Sequence, residues 1–255
     1  MFDLIPWAVS GLVSAIYLLS PALVRHGFRF ASRCQLRAVS LEEVPEAIAT
    51  EFRRRISEFS NLGFELIGCF DCGSLASETR NYVAYFCNHT SNEFANVTAM
   101  TTPNGPASYF EFSSRFADGR CIETNTNEIL PLLPGNPAIR VFRLAAAEPR
   151  ALLKTHRQLV EKYAPGLCAL GEPREAEIQR YVRMIEHFGP RLAQTGHLKF
   201  DESAECFRLT WKGAFRTAWL GLWPMALVRR GLQRHNMQLE LHSLQTRAEA
   251  ALQKA

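Results

Sequence analysis

A long apolar segment without charged residues stands near the start of the chain. From Leu4 to Val24, 21 residues are mainly Leu, Ile, Val, Trp, Tyr and Ala, interrupted by serine, glycine and proline. A helix rises about 1.5 Å per residue, so this length crosses the roughly 30 Å hydrocarbon core of a bilayer. A cleaved signal peptide and a buried core helix are the alternatives, and the segment lacks the basic start and small-residue cleavage motif of a signal peptide. We therefore predict a transmembrane anchor at residues 1–24.

Arginines cluster directly after the apolar segment. Arg25, Arg29, Arg33 and Arg37 follow it, whereas Asp3 is the one charged residue before it. Positive residues are retained on the cytoplasmic side of a membrane and are attracted to anionic lipid head groups. Residues 25–39 are thus predicted to form a basic juxtamembrane segment. The expected location is the cell membrane, with a single span and a cytoplasmic main domain.

Helical spacing follows between Ser40 and Leu62. Apolar residues recur there every three or four positions, which places one apolar stripe along a helix. Ser40 and Glu43 match a capping box, although Pro45 favours a later start, and Gly63 is a typical stop signal. The stripe consists of Val44, Ile48, Phe52, Ile56 and Phe59.

The periodicity then changes to short runs rich in Phe, Tyr, Val and Thr, separated by turn residues. This pattern is typical of antiparallel strands joined by hairpins. Together with the preceding helix it predicts an α+β domain at residues 40–145, in which the helix packs on an antiparallel sheet of about five strands. A further short strand is predicted at Arg140–Leu144. The five strand predictions are Phe64–Phe70, Asn81–His89, Glu93–Thr101, Ala107–Phe116 and Arg120–Thr126.

The C-terminal part is predicted to be mainly helical, with a helical region at 146–210, a membrane-interfacial segment at 211–230 and a C-terminal helix at 231–255. Twelve uncharged residues from Thr217 to Val228 are too few to span a bilayer. Their tryptophans and the flanking Lys and Arg residues suit the head-group layer, and core packing or a subunit contact are the alternatives. The residues predicted to contact the membrane are Trp7, Tyr17, Arg25, Arg29, Trp219 and Trp223.

The last helix carries a short seam at coiled-coil spacing, formed by Met237, Leu241 and Leu244 and continued by alanines. The seam is short, so packing on the chain's own domain is favoured over self-association, and a homo-oligomer stays an alternative.

Composition narrows the class of protein. The 255 residues are 47% hydrophobic and 21% charged, so the chain can bury a sizeable core and is not a disordered tail. The hydrophobic fraction is too low for a multi-span transporter. The net charge of +4, without a basic run interleaved with aromatics, argues against nucleic acid as a partner.

Cysteines supply the clearest chemical motif. Cys69 and Cys72 have the spacing of a zinc-binding or redox pair, and Cys87, His89 and Cys121 are the available further ligands. One such pair is a weak signal, and ordinary buried thiols are the favoured interpretation. We therefore expect no cofactor, with zinc as the alternative. Seven cysteines in a cytoplasmic domain also predict no structural disulfide.

Other chemistry is not marked by a local motif. The chain has no nucleophile elbow, phosphate loop, dinucleotide fingerprint or zinc helix. His156 lies in an apolar helical stripe, where a buried core histidine is the default. Acidic residues on separate strands can still meet in the fold and act as acid and base, and the candidates are Asp71, Glu111, Asp118 and Glu123.

These patterns together predict a membrane-anchored, non-catalytic binding or scaffold protein of bacterial type. Its partners would be the lipid bilayer and an unidentified protein or small molecule. A membrane-bound enzyme or zinc protein that uses the Cys69 and Cys72 region is one alternative. A lipid-binding domain is the other.

Overall fold

The computed structural model describes residues 4–33, 36–73, 79–102, 105–145, 147–171 and 173–252. Residues 1–3 and 253–255, the outer ends of the predicted anchor and C-terminal helix, lie outside the described residues. The helices are α1 (Leu4–Gly27), α2 (Glu46–Ser60), α3 (Pro149–Tyr163), α4 (Arg174–Gln194), α5 (Trp211–Gly221) and α6 (Met225–Leu252). The strands are β1 (Arg29–Ala31), β2 (Arg37–Val39), β3 (Glu65–Asp71), β4 (Asn81–Asn88), β5 (Glu93–Thr102), β6 (Gly105–Arg115), β7 (Cys121–Asn125), β8 (Ile139–Arg143), β9 (Leu198–Asp201) and β10 (Cys206–Leu209).

The main sheet has seven strands in the order β2-β3-β4-β5-β6-β7-β8. The prediction of a mixed α and β architecture is confirmed, but the count of about five strands was too low. The two additional strands lie at the edges: β8 matches the further short strand predicted at Arg140–Leu144, whereas β2 was missed because its three residues are too few to show alternation. The pairing also differs, because β7 and β8 run parallel while the other neighbours are antiparallel.

Helix α2 covers one face of this sheet and buries the aromatic side chains of its central strands. Phe59 lies at the centre, with ring centroids 5.0 Å from Phe86 and 5.3 Å from Phe112. The helix begins at Glu46 rather than Ser40, because Pro45 fixes an extended backbone at the cap position. In the turn before it, the backbone N–H of Ser40 donates to the Glu43 carboxylate at 2.9 Å.

A second, three-stranded sheet has the order β1-β10-β9. Its strands fall in regions predicted as a juxtamembrane segment and a helical region, so both predictions miss short strands there. Helix α5 lies very close to this sheet, since a Cβ atom on Gly213 would approach the carbonyl oxygen of His197 to 2.1 Å. Glycine is therefore required at this contact.

Helices α1 and α5 pack side by side in opposite directions. The rings of Tyr17 and Trp219 lie 6.4 Å apart, and the Arg25 guanidinium lies 4.7 Å from the ring centroid of Trp211. Within the described residues, α1 is the one helix long and apolar enough to cross a membrane, over Val9–Gly27 with a mean hydropathy of 1.2. Of that segment, 6% is buried within the protein.

Helix α6 packs against α3 rather than presenting a free seam. Leu244 is buried beside Phe116 and Leu159, and the Lys162 ammonium group donates to the Glu240 carboxylate at 2.6 Å. The seam residue Leu244 therefore belongs to the core of its own chain.

Candidate functional site

The face of the main sheet opposite α2 is polar at its centre. Strand registry places Asn96 opposite Glu111, and it places Glu111 opposite Asn125 and Ser113 opposite Glu123 on the next strand. Successive side chains alternate between the two faces, so polar residues at every second position share this surface. We call it the polar sheet face, and its residues are Asn96, Thr98, Tyr109, Glu111, Ser113, Arg115, Cys121, Glu123, Asn125 and Arg143.

Glu111 and Glu123 form a diagonal pair on neighbouring strands of the polar sheet face. Both are surrounded by protein atoms on most sides but keep partial access to solvent. The Asn96 amide donates to Glu111 Oε1 at 2.6 Å. Burial raises the pKa of Glu111, and burial together with the charge of Glu111 raises the pKa of Glu123 to about 8. Glu123 can therefore hold a proton near neutral pH and donate it.

A buried ion pair joins helix α4 to the polar sheet face. Glu177 of α4, with 1% of its side chain exposed, pairs with Arg115, and the Tyr85 hydroxyl donates to Glu177 Oε1 at 2.6 Å. Arg115 also donates to the Tyr85 oxygen at 3.1 Å. This network connects α4 to strands β4 and β6. It also holds Arg115 close to the carboxyl groups of Glu111 and Glu123.

The raised pKa of Glu123 predicts a specific pH dependence of stability. The folded chain keeps the proton up to about pH 8, whereas the unfolded chain releases it near its ordinary value of 4.5. Glu123 therefore contributes its full share of the free energy of unfolding below about pH 4.5. That share declines by about 1.4 kcal/mol per pH unit as the pH rises to about 8. Glu123→Gln is expected to stabilise the protein near pH 9 and to change little near about pH 5, as measured by urea unfolding in detergent.

The matched control is Glu175→Gln, which removes an exposed carboxylate at the start of α4. Its unfolding midpoint should follow the wild type at both pH values. Equal effects of Glu123→Gln at both pH values would contradict a proton held on this carboxyl group.

The second notable surface is apolar and lies on α1 and α5. Trp211, Phe215 and Trp219 recur every four residues on α5 and are each more than half exposed. The opposite side of α5 buries small residues, including Ala214 and Ala218. The aromatic side chains of this segment are therefore outside the core, which excludes the core alternative for them. We call this surface the apolar face, and it comprises the exposed Trp7, Val9, Leu12, Ile16, Leu18, Leu19, Leu23, Trp211, Phe215, Trp219 and Trp223.

The cysteines of the proposed zinc pair do not share a face of the sheet. Cys69 lies in the core under α2, where burial raises its pKa to about 11, and Cys72 lies in the cluster on the opposite face. Cys87 belongs to the second cluster, with its sulfur 3.0 Å from His89 Nε2. In the described part of the chain, no group of three or more His, Cys, Asp or Glu residues could hold a metal ion.

His156 is fully buried on α3, as its apolar stripe suggested. Its two ring nitrogens lie 2.9 Å from the Ser114 hydroxyl and 3.0 Å from the Thr124 hydroxyl. Burial lowers the pKa of His156 to about 4, so the ring is neutral at physiological pH. These contacts account for both nitrogens within the core.

Of the acidic candidates, the fold brings together Glu111 and Glu123 and leaves the others apart. Asp71 binds the Arg80 guanidinium with a shortest contact of 2.5 Å, and Asp118 accepts from the Arg120 backbone N–H in a turn. Sequence reasoning missed Glu177, Arg115 and Arg143. Their only signal was the alternation of Arg115 with apolar residues on β6, because the partners are distant in sequence.

The fold and these surfaces define a mixed α and β protein with an apolar helical face and a partly buried polar sheet face. No protein-family model, curated protein or solved structure matches the chain.

Proposed function

We propose that this chain is a membrane-anchored binding protein, with α1 in the bilayer and the antiparallel α5 beside the C-terminal half of α1, where it enters the bilayer from the same side. The observation that carries the proposal is the apolar face, which exposes large side chains on two adjacent helices. Exposed apolar surfaces of this extent mark contacts with a membrane or another protein. The length and composition of α1 favour the membrane.

The charges beside the apolar face support a cytoplasmic domain. Arg25 lies in the last turn of α1, and Arg29 follows two residues after its end. The exposed Lys212 and Arg216 lie next to the aromatic side chains of α5. Tryptophan and cationic side chains both favour the head-group layer, and cations bind its anionic lipids. Their position on one side of α1 fits retention of the domain in the cytoplasm. The bound partner on that side would be a protein or a small molecule.

The anchor can be tested by placing charge within α1. Ile16→Arg combined with Leu19→Arg should move most of the protein out of the membrane fraction, since each central arginine costs about 2.5–3.5 kcal/mol on insertion. Both side chains are about half exposed or more, so the folded domain is not disturbed. The measurement is the fraction that sediments with membranes after a high-salt wash.

The matched control places the same two charges on exposed apolar positions of other elements, as Leu167→Arg with Leu239→Arg. This variant should stay in the membrane fraction. A wild-type chain that is soluble without detergent and dimeric would instead assign the apolar face to a second copy. A C-terminal reporter active only outside the cytoplasm would overturn the orientation.

A second candidate is a membrane-bound enzyme that uses the polar sheet face. The Glu111 and Glu123 pair favours it, because a carboxyl group protonated near neutral pH, as Glu123 is, can act as a general acid. Wild-type protein and Glu123→Gln would be incubated with a total membrane lipid extract, and products compared by mass spectrometry. Turnover present in the wild type and absent in the variant would favour this candidate. The zinc alternative has weaker support, since Cys69 and Cys72 lie on opposite faces.

A further inference from the structure

A cavity of about 610 Å³ lies at the edge of the polar sheet face and shares Arg143 with it. It is bounded by residues 127–132, the end of β8, the C-terminal end of α5 and one face of α6. We call it the arginine pocket, because it is lined by Arg143, Arg229, Arg230 and Arg234.

The positive charge of this pocket is only partly balanced within the protein, where Glu111 and Glu123 of the polar sheet face oppose the charge of Arg143. None of the four arginines forms an ion pair with a carboxylate among the described residues, and Glu128 is the one acidic residue in the described lining. Arg143 Nε is buried without a hydrogen-bond partner in that same part of the chain. Burial lowers the pKa of Arg143 more than Glu123, Glu111 and Tyr109 raise it, and the charge of Arg229 lowers it further. Burial and the charge of Arg216 lower the pKa of Arg229. An anion would relieve this repulsion and supply acceptors.

Arg229 is held in place by the backbone. Its two terminal nitrogens donate to the carbonyl oxygens of Leu220 at 3.2 Å and Pro131 at 2.7 Å. These bonds fix the guanidinium between α5 and the 127–132 segment. A preorganised cation of this kind loses little side-chain freedom when it binds an anion.

Apolar side chains also line the arginine pocket, and we call them its apolar wall. Its side chains can contact an alkyl chain but offer nothing to a bare inorganic ion. The wall continues toward the apolar face, because Leu220 and Gly221 belong to α5 and the exposed Trp219 and Trp223 are their near neighbours in sequence. Its residues are Ile129, Leu130, Leu132, Leu144, Leu220, Ala226, Met237 and Leu241.

We infer that the arginine pocket binds an anionic amphiphile, with its phosphate or carboxylate head at Arg143 and Arg229 and its alkyl chain along the apolar wall. The inference rests on the proposed function for the route of entry, since a pocket beside a bilayer-facing helix is reached directly by lipids. The same head-group chemistry occurs in a soluble phosphomonoester. The apolar wall assigns the site to the lipid form.

The test uses the full-length protein in neutral detergent and titrates three probes by calorimetry. These are dihexanoyl phosphatidic acid, dihexanoyl phosphatidylcholine and glycerol 3-phosphate. We expect the anionic lipid to bind most tightly, and Arg143→Gln with Arg229→Gln to weaken it by about tenfold or more. The control is Arg150→Gln with Arg247→Gln, which removes two exposed charges elsewhere and should leave the affinity unchanged.

Two further variants guard against loss of folding in the first. Arg230 and Arg234 are exposed, so their replacement by glutamine should weaken the anionic lipid without altering the unfolding temperature. Ala226→Leu narrows the apolar side and should weaken the lipid while the charge is kept. Equal affinity for phosphatidylcholine, equal affinity for glycerol 3-phosphate, or no effect of any pocket variant would each overturn the inference.

These outcomes are separate from those of the proposed function. Arginine-dependent lipid binding in detergent by a chain that fails the membrane fractionation would keep the pocket and remove the anchor. A chain that stays in membranes, and whose lipid binding is unchanged by replacement of all four arginines, would keep the anchor and remove the pocket.

Discussion

Replacement of Arg115 by leucine is expected to lower the free energy of unfolding by about 3–5 kcal/mol. The change leaves the carboxyl group of Glu177 buried without its counter-ion, with 1% of its side chain exposed and Tyr85 as its one remaining polar partner among the described residues. A buried charge without its counter-ion is among the most costly defects in a folded protein. The measurement is urea unfolding of the full-length chain in detergent.

Two comparisons make the Arg115 prediction specific. Arg120→Leu breaks an exposed pair with Asp118 and should cost less than about 1 kcal/mol. Arg115→Leu combined with Glu177→Leu removes both charges and should recover a large part of the loss. A double variant as unstable as the single one would show that Arg115 acts through packing rather than through charge.

Phe59→Ala is the second large change, with an expected loss of about 3–5 kcal/mol. Phe59 is fully buried and lies within 6.2 Å, between ring centroids, of Phe64, Phe86, Phe110 and Phe112. Its removal leaves a cavity that the four rings, held on β4, on β6 and just before β3, cannot fill together. Urea unfolding in detergent would report the change.

The same substitution at Phe200, which is about half exposed and contacts Phe207, should cost less than half as much. Equal losses at the two positions would mean that the aromatic cluster under α2 is not the main core of the domain. The two large predictions test opposite sides of the main sheet, since Phe59 packs on the side under α2 and Arg115 lies on the polar sheet face.

The two sides of the main sheet therefore differ in what they contribute. The side under α2 excludes water and carries the packing. The polar sheet face keeps six ionisable side chains partly or fully buried, at a cost that packing offsets elsewhere: Tyr109, Glu111, Arg115, Cys121, Glu123 and Arg143. Polar groups held in this way are typical of functional sites rather than of structural cores.

Local patterns were sufficient for the elements that one stretch of chain defines. The uncharged run from Leu4 to Val24 predicted helix α1, and the spacing of Ile48, Phe52 and Phe59 predicted the buried side of α2. The alternation of apolar and polar residues in β6 predicted one buried and one solvent-facing side of that strand. Such signals are readable because the period of a helix or strand repeats within a few residues.

Short and edge elements escaped the same analysis. β2, β9 and β10 have three or four residues each, fewer than one clear repeat of alternation. These strands are stabilised by pairing with strands that are distant in sequence. Their own residues therefore carry little information that would predict them.

The amino-acid sequence by itself determined an apolar helix of membrane-spanning length, its basic flank, the helix α2 and the central strands, because each is written in the periodicity or charge of contiguous residues. Only the tertiary structure decided that Glu111 meets Glu123, that Cys69 and Cys72 lie on opposite faces, and that Arg143 joins Arg229 in one pocket. The physical reason is that strand registry and helix docking set these distances, and both depend on the packing of residues that are far apart in the chain.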